Sequence, residues 1–374
     1  MTVLSAPWRA PHLSLFALAA LWAAVAPMVW VLNVGGWPAD PVAWHRHELM
    51  FGMGGAAIGG YLLTAASHWT GRRFAPGLTQ AVVAAWCAAR IGYSAGAGWL
   101  GLLYPVLLAA VLVQAVWATR RWPRLPIASM PLALFAAELA MLSGHEPDAT
   151  TLIFGFGALI AVVGGRILPA FLRARVGDES GREWSWVNAL ADSTVLALPV
   201  FAAVGVAPEV VGVATILAAC AQVLRMVRWP MQAVAGQGDL MLLLLAWAWL
   251  PAGLALAGSE LLFEAGGSLG RYLHMLALGA MGGMIFAVAA RAYMRRVPGR
   301  LVPGHWLRVG FGLVWLSVPL RLVPELLPDG LRLSALIWCA GWGCFLCAAL
   351  PAIWCDIPHP VLSARRAGQT RSIT

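Results

Sequence analysis

Apolar runs of roughly 20 residues alternate with short polar links along the whole chain. Read as membrane helices, the runs predict twelve spans, at 12–33, 45–67, 77–96, 98–118, 125–143, 149–173, 184–204, 208–227, 239–260, 269–292, 306–326 and 332–354. The links alternate in charge. Those after even-numbered spans carry Arg72 and Arg73; Arg120, Arg121 and Arg124; Arg173, Arg175 and Arg182; Arg228; and Arg295, Arg296 and Arg300. Those after odd-numbered spans are nearly free of arginine and hold Asp40, Glu146, Asp148, Glu209, Glu260, Glu264 and Asp329. The positive-inside bias places the arginine-bearing links in the cytoplasm. Arg9, Arg365 and Arg366 place both tails there too, so the pattern predicts a multi-pass protein of the inner membrane. The apolar run after Arg9 has no small-residue cleavage site and reads as a retained first span.

The pattern also repeats itself. The stretches from His47 to Leu63 and from His274 to Ala290 are worn copies: each opens on a histidine, Gly52 and Gly55 match Gly279 and Gly282, and Ile58 matches Ile285. In a weaker third copy, Phe154-Gly155-Phe156-Gly157 repeats Phe51-Gly52-Met53-Gly54, with Thr150 in the histidine's place. The copies fall in spans two, six and ten. The repeat unit is therefore four helices used three times, over about 12–118, 125–227 and 239–354 of a single transmembrane domain, 1–374. The expected fold is an all-α polytopic membrane protein of twelve helices. Its three-by-four layout resembles the large subunit of haem–copper oxidases, a likeness of architecture alone.

Composition agrees. The chain is 61% hydrophobic and 11% charged, against about a quarter charged in soluble proteins. The net charge of +9 sits in links rather than in a basic stripe, which makes the lipid bilayer the partner and excludes nucleic acid. Six cysteines are scattered through apolar segments, with Cys339, Cys344 and Cys347 in one helix. Soft-metal binding is conceivable there, and small apolar packing is the better reading. The chain has no phosphate loop, no HExxH helix and no nucleophile elbow.

The matched histidines carry the candidate chemistry. All copies point the same way, so His45, His47 and His274 fall at outer, periplasm-facing helix ends. Neutral imidazole is a common metal ligand, and the pair suits a b-type haem between spans two and ten, with His47 and His274 as axial ligands. His45 is two residues from His47 and faces elsewhere on a helix. It is a substitute ligand, a copper site or an interfacial histidine beside Trp44. The following glycines suit a flat cofactor or, equally, close helix contact. Arg90 and Arg321 are costly intramembrane charges on equivalent helices. They pair with haem propionates or, equally, snorkel or pair with Glu138 or Glu48. Arg166 and Arg291 read as topology anchors or a packing network at inner helix ends. His12, His68, His145, His305 and His359 have no partner identifiable from spacing and default to interfacial histidines. Pro169, Pro199 and Pro319 break three spans, as in a transporter, but without an intramembrane acid–base chain. Span seven lacks the histidines that an oxidase's copper needs, which demotes a full oxygen-reducing centre.

Four motifs in order resemble the NnrS family. Trp44-His45-Arg46-His47-Glu48-Leu49-Met50-Phe51-Gly52 looks like its W-H-x-H-E-M-x-F-G, and Trp69-Thr70-Gly71-Arg72 like its W-T-G-R. Gly164-Gly165-Arg166 with Pro169 and Phe171 looks like G-G-R-x-x-P-x-F, and Leu273-His274 with Gly279 like L-H-x-x-x-x-G. The resemblance covers most of the chain. It implies a membrane protein with haem and copper, tied to nitric oxide metabolism and nitrosative stress, with nitric oxide or nitrosylated species as partners. Leu244 and Arg296 stand where many members have histidine, so no metal role carries over to them. Whether a substrate is turned over, and by which electron donor, stays open. A haem-free transporter and a haem- or copper-handling assembly factor are the alternatives.

Overall fold

Every backbone donor and acceptor in a bilayer must be satisfied within the protein, which leaves helices as the economical way to cross. The computed structural model describes residues 3–32, 37–145, 147–177, 185–264, 268–298, 300–357 and 361–362. Its main elements in order are α1 (Pro11–Leu32), α2 (Pro41–Thr70), α3 (Pro76–Ser94), α4 (Gly98–Ala118), α5 (Trp122–Leu142) and α6 (Ala149–Val176), then α7 (Ser185–Ala203), α8 (Pro208–Met226), α9 (Gly238–Phe263), α10 (Leu269–Ala290), α11 (His305–Leu322) and α12 (Gly330–Ala352). Glu146, Arg182, His359, Arg365 and Arg366 lie outside the described residues.

Ten of these helices are long and apolar enough to cross a membrane. The chain is a multi-pass membrane protein. The sequence pattern predicts twelve crossings, and the two that fall short are α3 and α11, the helices that carry Arg90 and Arg321. The distribution of side chains also fits a lipid solvent. Leu190, Leu196 and Val200 on α7, Ile91 on α3 and Leu217 on α8 are exposed, while Glu48, Arg90, Glu138, Gln222, Arg225, Asp239 and Arg291 are buried. A water-soluble protein reverses that preference.

The chain forms two compact units, residues 1–147 with 342–361, and 148–341 with 362–374. They do not follow the three repeats, since α5, the opening helix of the second repeat, belongs to the first unit. Within each unit the matched stretches do share an unusual backbone. Immediately after His47, α2 winds into a π-helical segment at Glu48–Gly54, and immediately after His274, α10 does the same at Met275–Gly282. Such segments are rare and gather at functional sites. Side chains support the first one: Trp86 donates its indole N–H to the Gly52 carbonyl at 3.0 Å, and Tyr104 donates its hydroxyl to the Gly55 carbonyl at 2.8 Å. Gly71, with φ +68°, ends α2 in the left-handed region, which accounts for the glycine in Trp69-Thr70-Gly71-Arg72.

Three prolines do not break their helices. Pro169, Pro199 and Pro319 lie inside α6, α7 and α11, which run on past them. A proline removes one backbone donor, and in a packed bundle neighbouring groups take up the freed carbonyl. One element departs from the all-α expectation. After α10, β1 (Arg295–Val297) pairs antiparallel with β2 (Arg300–Val302), with Leu301 buried behind Arg296 in the register Arg296↔Leu301. Pro298 lies in the turn after β1, and proline is a common turn residue, a hairpin signal that helical periodicity conceals.

In the second unit the Gly164-Gly165-Arg166 motif is a packing device. A Cβ on Gly164 would lie 2.7 Å from Trp247 Cζ3, and one on Gly165 2.1 Å from Arg225 Nη1. That clearance lets the Arg225 guanidinium reach the Ala161 carbonyl at 2.9 Å, the Asn188 carbonyl at 2.9 Å and Asp192 at 2.5 Å. Arg166 joins from outside, 3.4 Å from Asp192. Arg291 lies 4.0 Å over the Phe171 ring and 2.5 Å from Asp239. Arg166 and Arg291 thus belong to the helix-packing networks.

Candidate functional site

The first unit brings four ionisable side chains together in its interior. His47 is the last residue before the π-helical segment and Glu48 the first within it. The wider turn lets two sequence neighbours face one space. The His47 ring is held from both sides, Nδ1 lying 3.0 Å from Glu48 Oε1 and Nε2 3.1 Å from Glu138 Oε2. Arg90 on α3 donates to Glu48 Oε1 at 2.8 Å and lies 3.5 Å from Glu138 Oε1. Trp22 on α1 donates its indole N–H to the other Glu48 oxygen at 2.6 Å. Glu138 reaches in from α5 beside Gly101, where a Cβ would lie 2.7 Å from Glu138 Oε2. Tyr93 covers the imidazole face to face, with ring centroids 3.3 Å apart and planes 7° apart, and Phe51 lies at 4.8 Å. None of the four ionisable side chains is more than 4% exposed.

The second unit holds the matching station in simpler form. His274 is the last residue before its π-helical segment. Its Nδ1 lies 2.6 Å from the Gly270 carbonyl, one turn back, and its Nε2 lies 3.1 Å from Arg321 Nη2 on α11. A carbonyl only accepts and a guanidinium only donates. Nδ1 therefore carries the proton, and Nε2 presents its lone pair. Met275 stands where Glu48 follows His47, so this station lacks that carboxylate. His274 and Arg321 are half-buried, and Arg271 and Glu325 form an exposed ion pair in the same unit.

The glycines repeat in space as they do in sequence. A Cβ on Gly52 would lie 2.4 Å from Trp22 Cδ1, and one on Gly279 2.5 Å from Trp249 Cγ. Three residues on, Gly55 faces Tyr104 at 3.5 Å and Gly282 faces Trp338 at 2.1 Å. Both pairs set the π-helical segment against an aromatic ring of the repeat's first helix and another of its fourth. These glycines serve close packing within each unit.

The sequence-predicted residues divide accordingly. His47 and Arg90 come together, as do His274 and Arg321. Of the two readings of Arg90, pairing with Glu48 and Glu138 is the one the geometry realises. His45 is half-buried near the end of the first turns of α2. As a haem or copper ligand His274 fits: an Nδ1–H held by a backbone carbonyl is the usual support of a histidine that ligates through Nε2. His47 does not fit, since both its nitrogens already face carboxylates, and ligation would strand a buried acid. Among the described residues no three His, Cys, Asp or Glu side chains form a metal-binding group. Sequence reasoning passes over one motif: Cys344 and Cys347 are spaced C-x-x-C on α12, both as free thiols. It also leaves His47 without the acidic partners that the fold supplies, one of them 91 residues away.

A family model described as NnrS protein matches residues 6–355. A search of curated proteins found no match.

Proposed function

The chain belongs to the NnrS family, and from that membership we propose that it serves nitric oxide metabolism or resistance to nitrosative stress as a haem-binding protein of the inner membrane. In this reading α3 and α11 also cross, which makes twelve helices in three sets of four with both ends in the cytoplasm. The observation that carries the haem assignment is the 2.6 Å contact of His274 Nδ1 with the Gly270 carbonyl. It fixes the tautomer that leaves Nε2 as a ligand for iron. Arg321, which otherwise occupies that lone pair, is the cation available to a haem propionate. When bound, the haem supplies an iron centre able to take nitric oxide. His45 is the donor left for a substitute ligand or for copper.

The absorption spectrum of the purified protein tests this. A Soret band that is lost in His274→Ala and kept in His68→Ala supports the haem site. A colourless, iron-free protein would sink it in favour of a transporter. Sensitivity of a deletion strain to a nitric oxide donor, relieved by the wild-type chain and not by His274→Ala, tests the service.

A further inference from the structure

We propose that the β1–β2 hairpin is a binding site for an anionic phospholipid, with Arg295 and Arg300 holding the headgroup phosphate. The hairpin joins α10 to α11, so it stands where a membrane-crossing helix leaves the apolar layer. The sequence supplies the charge. Between Glu264 and Glu325 the chain holds seven arginines and no acid. The positive-inside bias asks only that such arginines lie in a link. This link goes further and fixes them on a frame.

Side chains alternate across each strand, and directly opposed residues share a face. In the register Arg295↔Val302, Arg296↔Leu301 and Val297↔Arg300, Arg296 and Leu301 share the inner face. That face is docked: Leu301 is buried and β2 packs against α9. A Cβ on Gly238, at the start of α9, would lie 3.0 Å from the Pro303 ring that follows β2. The outer face then carries Arg295, Val297, Arg300 and Val302 as a checkerboard. Arg295 and Arg300 are diagonal neighbours about 7–8 Å apart, a gap that two long side chains can close on one phosphate.

Both arginines are exposed, and among the described residues neither has an ion pair or a side-chain hydrogen bond. Arg225 and Arg291, in the same unit, are already satisfied by Asp192 and Asp239. Guanidinium and phosphate form strong, often two-pronged hydrogen bonds, and basic pockets at helix ends hold anionic headgroups. Two further features favour a lipid over a free anion. Val297 and Val302 are half-buried and set apolar surface between the arginines, which suits a glycerol backbone. Trp306, in the first turn of α11, is exposed, and tryptophans gather at the headgroup level. The occupant is a lipid whose net charge is that of its phosphodiester, since a choline or amine would meet the same cations.

The test is native mass spectrometry of the full chain released from detergent, with equimolar phosphatidylglycerol and phosphatidylcholine added. Wild type should take phosphatidylglycerol as its first lipid. Arg295→Gln with Arg300→Gln should cut that preference about 25-fold, close to fivefold for each arginine. Each single variant should show its own share, which keeps the test open if the pair does not fold. Arg72→Gln with Arg73→Gln removes the same charge from a link without strands and should leave the preference near that of wild type. A wild type that takes both lipids equally overturns the proposal and leaves the hairpin to a soluble acidic partner. An equal loss in the two double variants overturns it as well, reducing the effect to net charge.

Discussion

Gly52 lies so close to Trp22 that a Cβ on the glycine would fall 2.4 Å from the indole Cδ1. The same indole holds Glu48 through its N–H, so the glycine sets both a helix contact and the position of an acid. Gly52→Ala should cost about 1–3 kcal/mol through overpacking, and Gly279→Ala, opposite Trp249, should cost a similar amount. Gly155 occupies the matching place in the third copy, and a Cβ there meets nothing within 4 Å. Gly155→Ala should stabilise by about 0.5–1 kcal/mol through helix propensity. Thermal unfolding of the three variants in detergent checks the contrast.

Arg90→Leu should be among the most damaging single changes. It leaves Glu48 and Glu138 buried without their common cation, a loss of about 3–5 kcal/mol. Glu325→Ala breaks an ion pair whose partners are 40% and 59% exposed and should shift stability by less than about 1 kcal/mol. Denaturation midpoints of the two variants, measured side by side, should separate widely.

Arg291 should not tolerate lysine. Its guanidinium donates to Asp239 at 2.5 Å and to the Leu362 carbonyl at 2.7 Å while lying over Phe171, and an ammonium cannot match that planar fork. Arg291→Lys should keep the charge yet lose yield of folded protein nearly as severely as Arg291→Ala. Size-exclusion profiles after extraction measure it.

Topology reporters decide whether α3 crosses. A fusion after Gly71 and one after Ala97 should report opposite sides of the membrane, with the cytoplasmic signal at Gly71. The same signal at both positions would reduce α3 to a helix that enters without crossing.

Much of this was written in local pattern. The two histidines and their glycines stand at matching offsets, with an arginine on the helix that follows each, and the fold sets each histidine beside its arginine. Glu48 and Glu138 as partners of Arg90 were legible because an intramembrane cation needs an acid. Their hold on His47 was not. That depends on α5 folding against α2, and on a backbone turn that sequence periodicity does not announce. The β1–β2 hairpin was hidden for a related reason: three-residue strands are too short to show a period of two. The C-x-x-C pair was in plain view, overlooked among cysteines read as filler.

The π-helical segments after His47 and His274 have an evolutionary consequence. Each holds about one residue more than an α-helix of the same rise, and one residue is worth about 100° of rotation. A single deletion within Glu48–Gly54 would let α2 close into regular α-helix while swinging His47 about a quarter turn away from Arg90 and Glu138. The helix would survive as a membrane span and the cluster would not. An indel, as well as a point substitution, is therefore a route by which a descendant sheds this cluster while keeping the span.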